Sequence, residues 1–272
     1  MNKNTCFDEN TIQKKCSNNL NKSLVLYELR NIAGNPMLHI FGILLPIFLS
    51  VIITKAAAAE IPAGTRDYAL KEAAASISIT MSLLIPMATI LIGHSAVYSQ
   101  EMEKGIPQRM SLFGFKEKTL FWAKGIAEFI NMTIAIIIYA VAEKVLLDIQ
   151  TPKASSAICL LICLYLTAII LYMLSTGIVN FVRKFGPSYA ICMTLYFIFM
   201  LLGGMMGIKT EQLPKVLKII SKLLPISYIS NDFGEFWRGG RYNFVPMIQA
   251  FLFFGAISGI VFYLSQYKKK RG

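Results

Sequence analysis

Charge is what this sequence has least of. Only 15% of its 272 residues are Asp, Glu, Lys or Arg, against about 25% in an ordinary globular chain. Acid is especially scarce, at 15 Asp and Glu against 27 Lys and Arg, and there are only two His. Chemical signatures are missing too. No G-x-x-x-x-G-K-[ST] loop is present to cradle a nucleotide phosphate, and there is no H-E-x-x-H or G-x-S-x-G. The five Cys form no C-x-x-C, and no His-rich partner stands beside them for a metal. Cys159, Cys163 and Cys192 fall in apolar runs and are expected to be small packing residues. These absences argue against an enzyme and against a metal site.

What is present is apolar length. The hydrophobic fraction is 55% and the mean hydropathy is +0.56. A helix needs about 20 mostly apolar residues to cross a bilayer core, and in lipid its backbone must be hydrogen-bonded within the segment. Six runs qualify: 37–54, 73–98, 125–147, 154–182, 186–208 and 245–266. The expected fold class is therefore an all-α membrane protein with six transmembrane helices. The small residues after Thr54 resemble a cleavage site, but 36 mostly polar residues precede the first run, so a cleaved signal peptide is not expected.

The net charge of +12 needs no nucleic acid to explain it. Basic residues sit beside the spans, so topology accounts for them. A cytoplasmic N-terminus places most of the Lys and Arg on the inner side, and six spans then return the C-terminal "KKKRG" to the cytoplasm. Charge within the runs is sparse. Glu128, Glu143 and Lys144 read as span-end residues within reach of water. With no charge placed at mid-bilayer, an ion-coupled pump with a carboxylate relay is disfavoured. Ser76, Ser78, Thr80, Ser82, Asn131 and Thr133 either pack helices together or line a path. His39 and His94 read as structural.

Three segments do not fit a plain span-and-loop pattern. Residues 1–22 are polar, rich in Asn and Lys, and expected to be a disordered cytoplasmic tail ahead of a six-span domain at 23–272. "SLVLYELRNIAGNP" mixes apolar residues with Glu28 and Arg30 and stops at Gly34, Asn35 and Pro36, which predicts an interfacial helix before the first span. Between the fifth and sixth spans, Leu213, Leu217, Ile220 and Leu224 make a helical stripe, with a second short helix expected over 227–237. Those helices either dip into the outer leaflet or pack on the outer ends of the spans.

The longest charged interruption is "YSQEMEKGIPQRMSLFGFKEKTLFWAKGIAEF". Its core, "EMEKG…MSLFG", resembles the inner loop of type-2 ABC-transporter permeases, in which span two ends in an acidic turn followed by a short coupling helix. Pro107 departs from that pattern and is expected near the start of the short helix. "LYELRN…P" is similar to the family's elbow helix, and "LPKVLKIISKLLPISYI…FWRGG" to its outer re-entrant helices.

The resemblance implies the membrane subunit of an ATP-driven transporter, most often an exporter, in a bacterial plasma membrane. It implies a separate ABC ATPase chain as the holder of ATP and Mg, and a second permease chain, identical or paralogous. It places ATPase coupling on Glu101, Glu103, Gly105, Arg109, Met110, Leu112, Phe113 and Gly114, with a second contact around Glu28 and Arg30. Membrane lipid would surround the outer helix residues Leu213, Leu217, Ile220 and Leu224. An ATPase-independent channel or secondary carrier is the alternative, and a non-transporting sensor or anchor subunit a third reading.

Overall fold

The computed structural model describes residues 22–61, 66–147, 149, 152–206, 210–237 and 239–271. Apart from Lys22, the polar tail lies outside the described residues, as do Cys6 and Cys16. Among the described residues the chain is all helical. Helix α1 is Lys22–Ala33. Among the described residues, six helices are long and apolar enough to cross a membrane: α2 (Ile40–Ala59), α3 (Ala69–Glu103), α5 (Glu117–Leu146), α6 (Ala154–Val182), α7 (Phe185–Leu202) and the part Val245–Lys268 of α10 (Val245–Arg271). The short α4 (Ile106–Leu112) joins α3 to α5. Helices α8 (Lys215–Ser221) and α9 (Pro225–Trp237) lie between α7 and α10 (Val245–Arg271).

Helix α3 is the central pillar. Leu83, Leu84, Ile85, Met87, Ile90 and Leu91 are fully buried, so other helices surround it on all sides. It is not a uniform α-helix. Met87–His94 is a π-helical stretch directly after Pro86, and a second π stretch, Ile40–Leu44, lies in the first span. Proline removes one backbone donor and crowds the preceding turn, which is a recognised cause of such a local register change.

The outward faces follow the opposite rule to a water-soluble protein. On α5 the exposed positions are Ile130, Ile134, Ile137, Ile138 and Val141, while Ala123, Ala127 and Ala135 face inward. Small residues let helices approach, and large apolar side chains meet lipid at no cost. Helix α6 packs on α10 in this way. A Cβ at Gly177 would lie 2.8 Å from Val261 Cγ1 and 3.2 Å from the α10 backbone. Gly177→Ala is therefore expected to cost about 1–3 kcal/mol by overpacking, read as a lower thermal midpoint in detergent. An unchanged midpoint would show that this crossing has slack.

The two ends of the bundle are tied differently. At one end Tyr98 donates to Asn180 at 2.9 Å, the Phe185 amide donates to Glu103 at 2.8 Å, and Lys268 stands over the Phe181 ring. At the other end Thr80 donates to the Ser230 carbonyl, Ser156 to the Phe236 carbonyl, and Ser221 to the Leu202 carbonyl. Helices α8 and α9 cap that second end.

The stripe expected over 213–224 is shorter in the structure. Pro214 and Pro225 each start a helix, so α8 is only seven residues long. Leu213 precedes it and Leu224 follows it; both are buried against the bundle. Leu217 is partly buried on the core, while Ile220 is exposed together with Val216, Ile219 and Leu223. Helix α9 begins two residues before the expected 227 and buries Ile226, Ile229 and Phe233.

Candidate functional site

The end of the bundle that carries α1 and α4 gathers the charged residues of the long interruption. Helix α3 ends at Glu103, and the chain turns at Gly105, whose φ of +66° lies in the left-handed region. A side chain with a Cβ is disfavoured there by about 1–2 kcal/mol. Helix α4 starts at once, with Pro107 in its first turn, where a missing N–H costs nothing. It ends at Leu112, and Gly114 just beyond it has φ +86°. The Gly114 amide bonds to the Ser111 carbonyl and the Phe115 amide to Met110, a left-handed helix stop. Two glycines thus set both ends of the short helix.

The two acids before Gly105 hold this turn in place. Glu103 accepts the Phe185 amide at the start of α7. Glu101 is buried and accepts from Asn31 of α1 at 2.9 Å. It also meets Lys124 of α5, with both carboxylate oxygens at 3.0 Å. Lys124, only 5% exposed, reaches Glu28 of α1 at 2.6 Å as well. One buried ammonium therefore joins three helices. Glu28 lies on the stripe Leu24, Glu28, Ile32 that faces the bundle. Burial pushes its carboxyl above the ordinary range, and Lys124 beside it acts in the opposite direction.

Deeper in the bundle, His94 of α3 and Glu128 of α5 are both buried, with His94 Nδ1 3.8 Å from Glu128 Oε1. His94 Nε2 is 3.0 Å from the Thr176 hydroxyl. At the far end of α5, Ser50 donates to the buried Glu143 at 3.0 Å.

These positions correct the expectation that Glu128 and Glu143 reach water at span ends. Helix α5 begins at Glu117, eight residues before the apolar run, so Glu128 lies three turns inside it and faces the bundle. Lys124 is the hub of the cluster. A signal for it exists in "AKGIAEFINM": Lys124, Glu128 and Asn131 share the face of Ala123, Ala127 and Ala135. Polar residues among small ones mark the protein-facing side of a span.

The residues singled out for coupling separate into two groups. Glu28, Glu101 and Glu103 are engaged within the chain. Arg109 donates to the Lys104 carbonyl at 2.6 Å and so closes the end of α3. Met110 is half-buried and faces a cavity. Leu112 and Phe113 point outward, 86% and 77% exposed. Arg30 is exposed on the free side of α1, beside Leu26 and Tyr27.

A polytopic helical membrane protein with a short amphipathic helix projecting from the loop between its second and third spans is thus the class defined by fold and site. The family model for ABC-2 type transporters matches residues 19–234. That is most of the chain, and the chain belongs to the ABC-2 type transporter family as a membrane permease subunit. The matched region includes α1, α4 and the ion cluster and ends within α9. No curated protein matches the chain.

Proposed function

We propose that this chain is the permease subunit of an ATP-driven exporter, worked by a separate ATPase chain that carries ATP and Mg. The observation that supports it most directly is the exposed pair Leu112–Phe113 at the tip of a rigidly held α4. Two large apolar side chains projecting from a polar loop suit an apolar cleft on a partner. The elements behind them suit transmission. A push on α4 reaches α3 through Gly105 and Arg109, and reaches α1 and α5 through Glu101 and Lys124. Both termini would then lie in the cytoplasm, and a second permease chain would complete the pathway. No site for a bound cofactor is assigned to this chain itself.

The test is reconstitution in inside-out vesicles, with and without the ATPase. Accumulation of cargo that needs the ATPase and hydrolysable ATP is the expected result. Flux through the permease alone would favour a channel or carrier, and hydrolysis without flux a sensor or anchor subunit.

The exposed face of α8 bears on the outer leaflet. Spin labels at Ile219 and Ile220 are expected to be reached by a lipid-phase relaxation agent and shielded from a water-soluble one. Equal exposure of both to the aqueous agent would place α8 above the membrane.

A further inference from the structure

A cavity of about 330 Å3 lies between α1, α4 and the inner ends of the spans. Its volume falls at the lower end of the usual range for small-molecule sites. The coupling of α4 to the bundle does not require a cavity there. Its lining has a definite chemistry.

One wall is aromatic. Tyr98, Phe121, Tyr172 and Phe262 line it, with Phe121 at 5.1 Å from Tyr172 and 5.5 Å from Phe262, ring centre to ring centre. The polar end carries both signs, with carboxylates in excess: Glu28, Glu101 and Glu117 line it with Lys118 and Lys124, and Glu28 and Glu101 share the ammonium of Lys124. An anion entering here would meet two carboxylates whose one buried cation is already engaged by both.

His94 lines the cavity as well. The Thr176 hydroxyl donates to the Tyr172 carbonyl at 2.7 Å and accepts from His94 Nε2–H at 3.0 Å, while His94 Nδ1 faces Glu128 deeper in the bundle. Acceptors at one end and π faces along a wall are the two features that bind an organic cation.

We propose that this cavity is a binding site for a small lipophilic ammonium ion, its charge held between the carboxylates of Glu28 and Glu101 and the ring faces of Phe121 and Tyr172. The same chemistry could come from a free amine or from an aminophospholipid headgroup. Because Ile106, Pro107 and Met110 of α4 form part of the lining, an occupant would rest directly against that helix.

The test uses the purified permease alone, in dodecylmaltoside micelles, which carry no ammonium group. Calorimetry compares 4-phenylbutylammonium with 4-phenylbutanol, which has a similar shape and no charge. The ammonium is expected to bind about tenfold tighter. Phe121→Leu, which keeps apolar bulk, is expected to weaken the ammonium by about tenfold and the alcohol by much less. Glu101→Gln should narrow the ratio between the two ligands. Equal affinities in the wild type, or an ammonium affinity unchanged in Phe121→Leu, would overturn the proposal. Repeating the titration with phosphatidylethanolamine added to the micelles separates the sources. Competition assigns the site to a lipid headgroup, and an unchanged affinity assigns it to a free amine. No ATPase is present, so failure here is distinct from failure of the coupling reading.

Discussion

Lys124→Met is expected to destabilise the permease more than any other single substitution at this end of the bundle. Methionine keeps the apolar stem and removes the ammonium. Glu28 and Glu101 would then stand buried, facing each other across the space the cation filled. Breaking a buried ion pair by removing one partner costs about 3–5 kcal/mol, because the remaining charge has lost its compensation. The loss should appear as a large fall in the thermal midpoint in detergent. It should also appear as fast amide exchange in α1, which is held to α5 through this cluster and through Ile32, Leu38 and Ala127.

A second variant separates charge from packing. Replacing the whole cluster, as Glu28→Gln with Glu101→Gln and Lys124→Met, should recover much of the loss. Neutral replacement of a complete buried ion cluster is often close to neutral in stability. Wild-type stability in Lys124→Met would mean that the cluster does not hold α1 in place.

The architecture was legible because its cause is simple. Long apolar runs in a chain with little charge have few ways to fold other than as spans, and all six expected spans correspond to helices. The short helix after Gly105 was legible from its punctuation, Gly–Ile–Pro at one end and Phe–Gly at the other. Side-chain direction was harder to read. Met110, Leu112 and Phe113 lie within four residues, so composition makes them one patch, yet helical geometry turns Met110 inward and the other two outward.

The ion cluster stayed hidden for a related reason. Its members are far apart in sequence, at Glu28, Glu101 and Lys124, and nothing local says that they meet. Glu128 was misplaced because hydropathy marks where a helix becomes apolar and not where it begins. The π stretch in α3 was equally silent. Pro86 hinted at an irregularity, but its form depends on the helices packed around it.

Phe113→Asp is expected to abolish stable association with the ATPase while leaving the permease folded. The side chain is 77% exposed at the end of α4, so changing it removes little packing within the chain. Surface substitutions of this kind usually shift stability by no more than about 0.5 kcal/mol. At an interface the same ring is a different matter. Buried aromatic anchors are typical hot spots, each costing about 2 kcal/mol or more when truncated, which is roughly a thirtyfold weaker affinity. Aspartate adds a second penalty, since its carboxylate would have to enter an apolar cleft without a partner. Leu112→Asp should act in the same direction. Met110→Ala should affect binding far less, because Met110 faces the cavity rather than solvent. Co-purification with the ATPase, together with a thermal midpoint for each permease variant, reads both effects. If Phe113→Asp retained the ATPase at wild-type levels, the coupling surface would have to lie elsewhere, and the exposed side of α1 around Tyr27 and Arg30 would be the next place to cut.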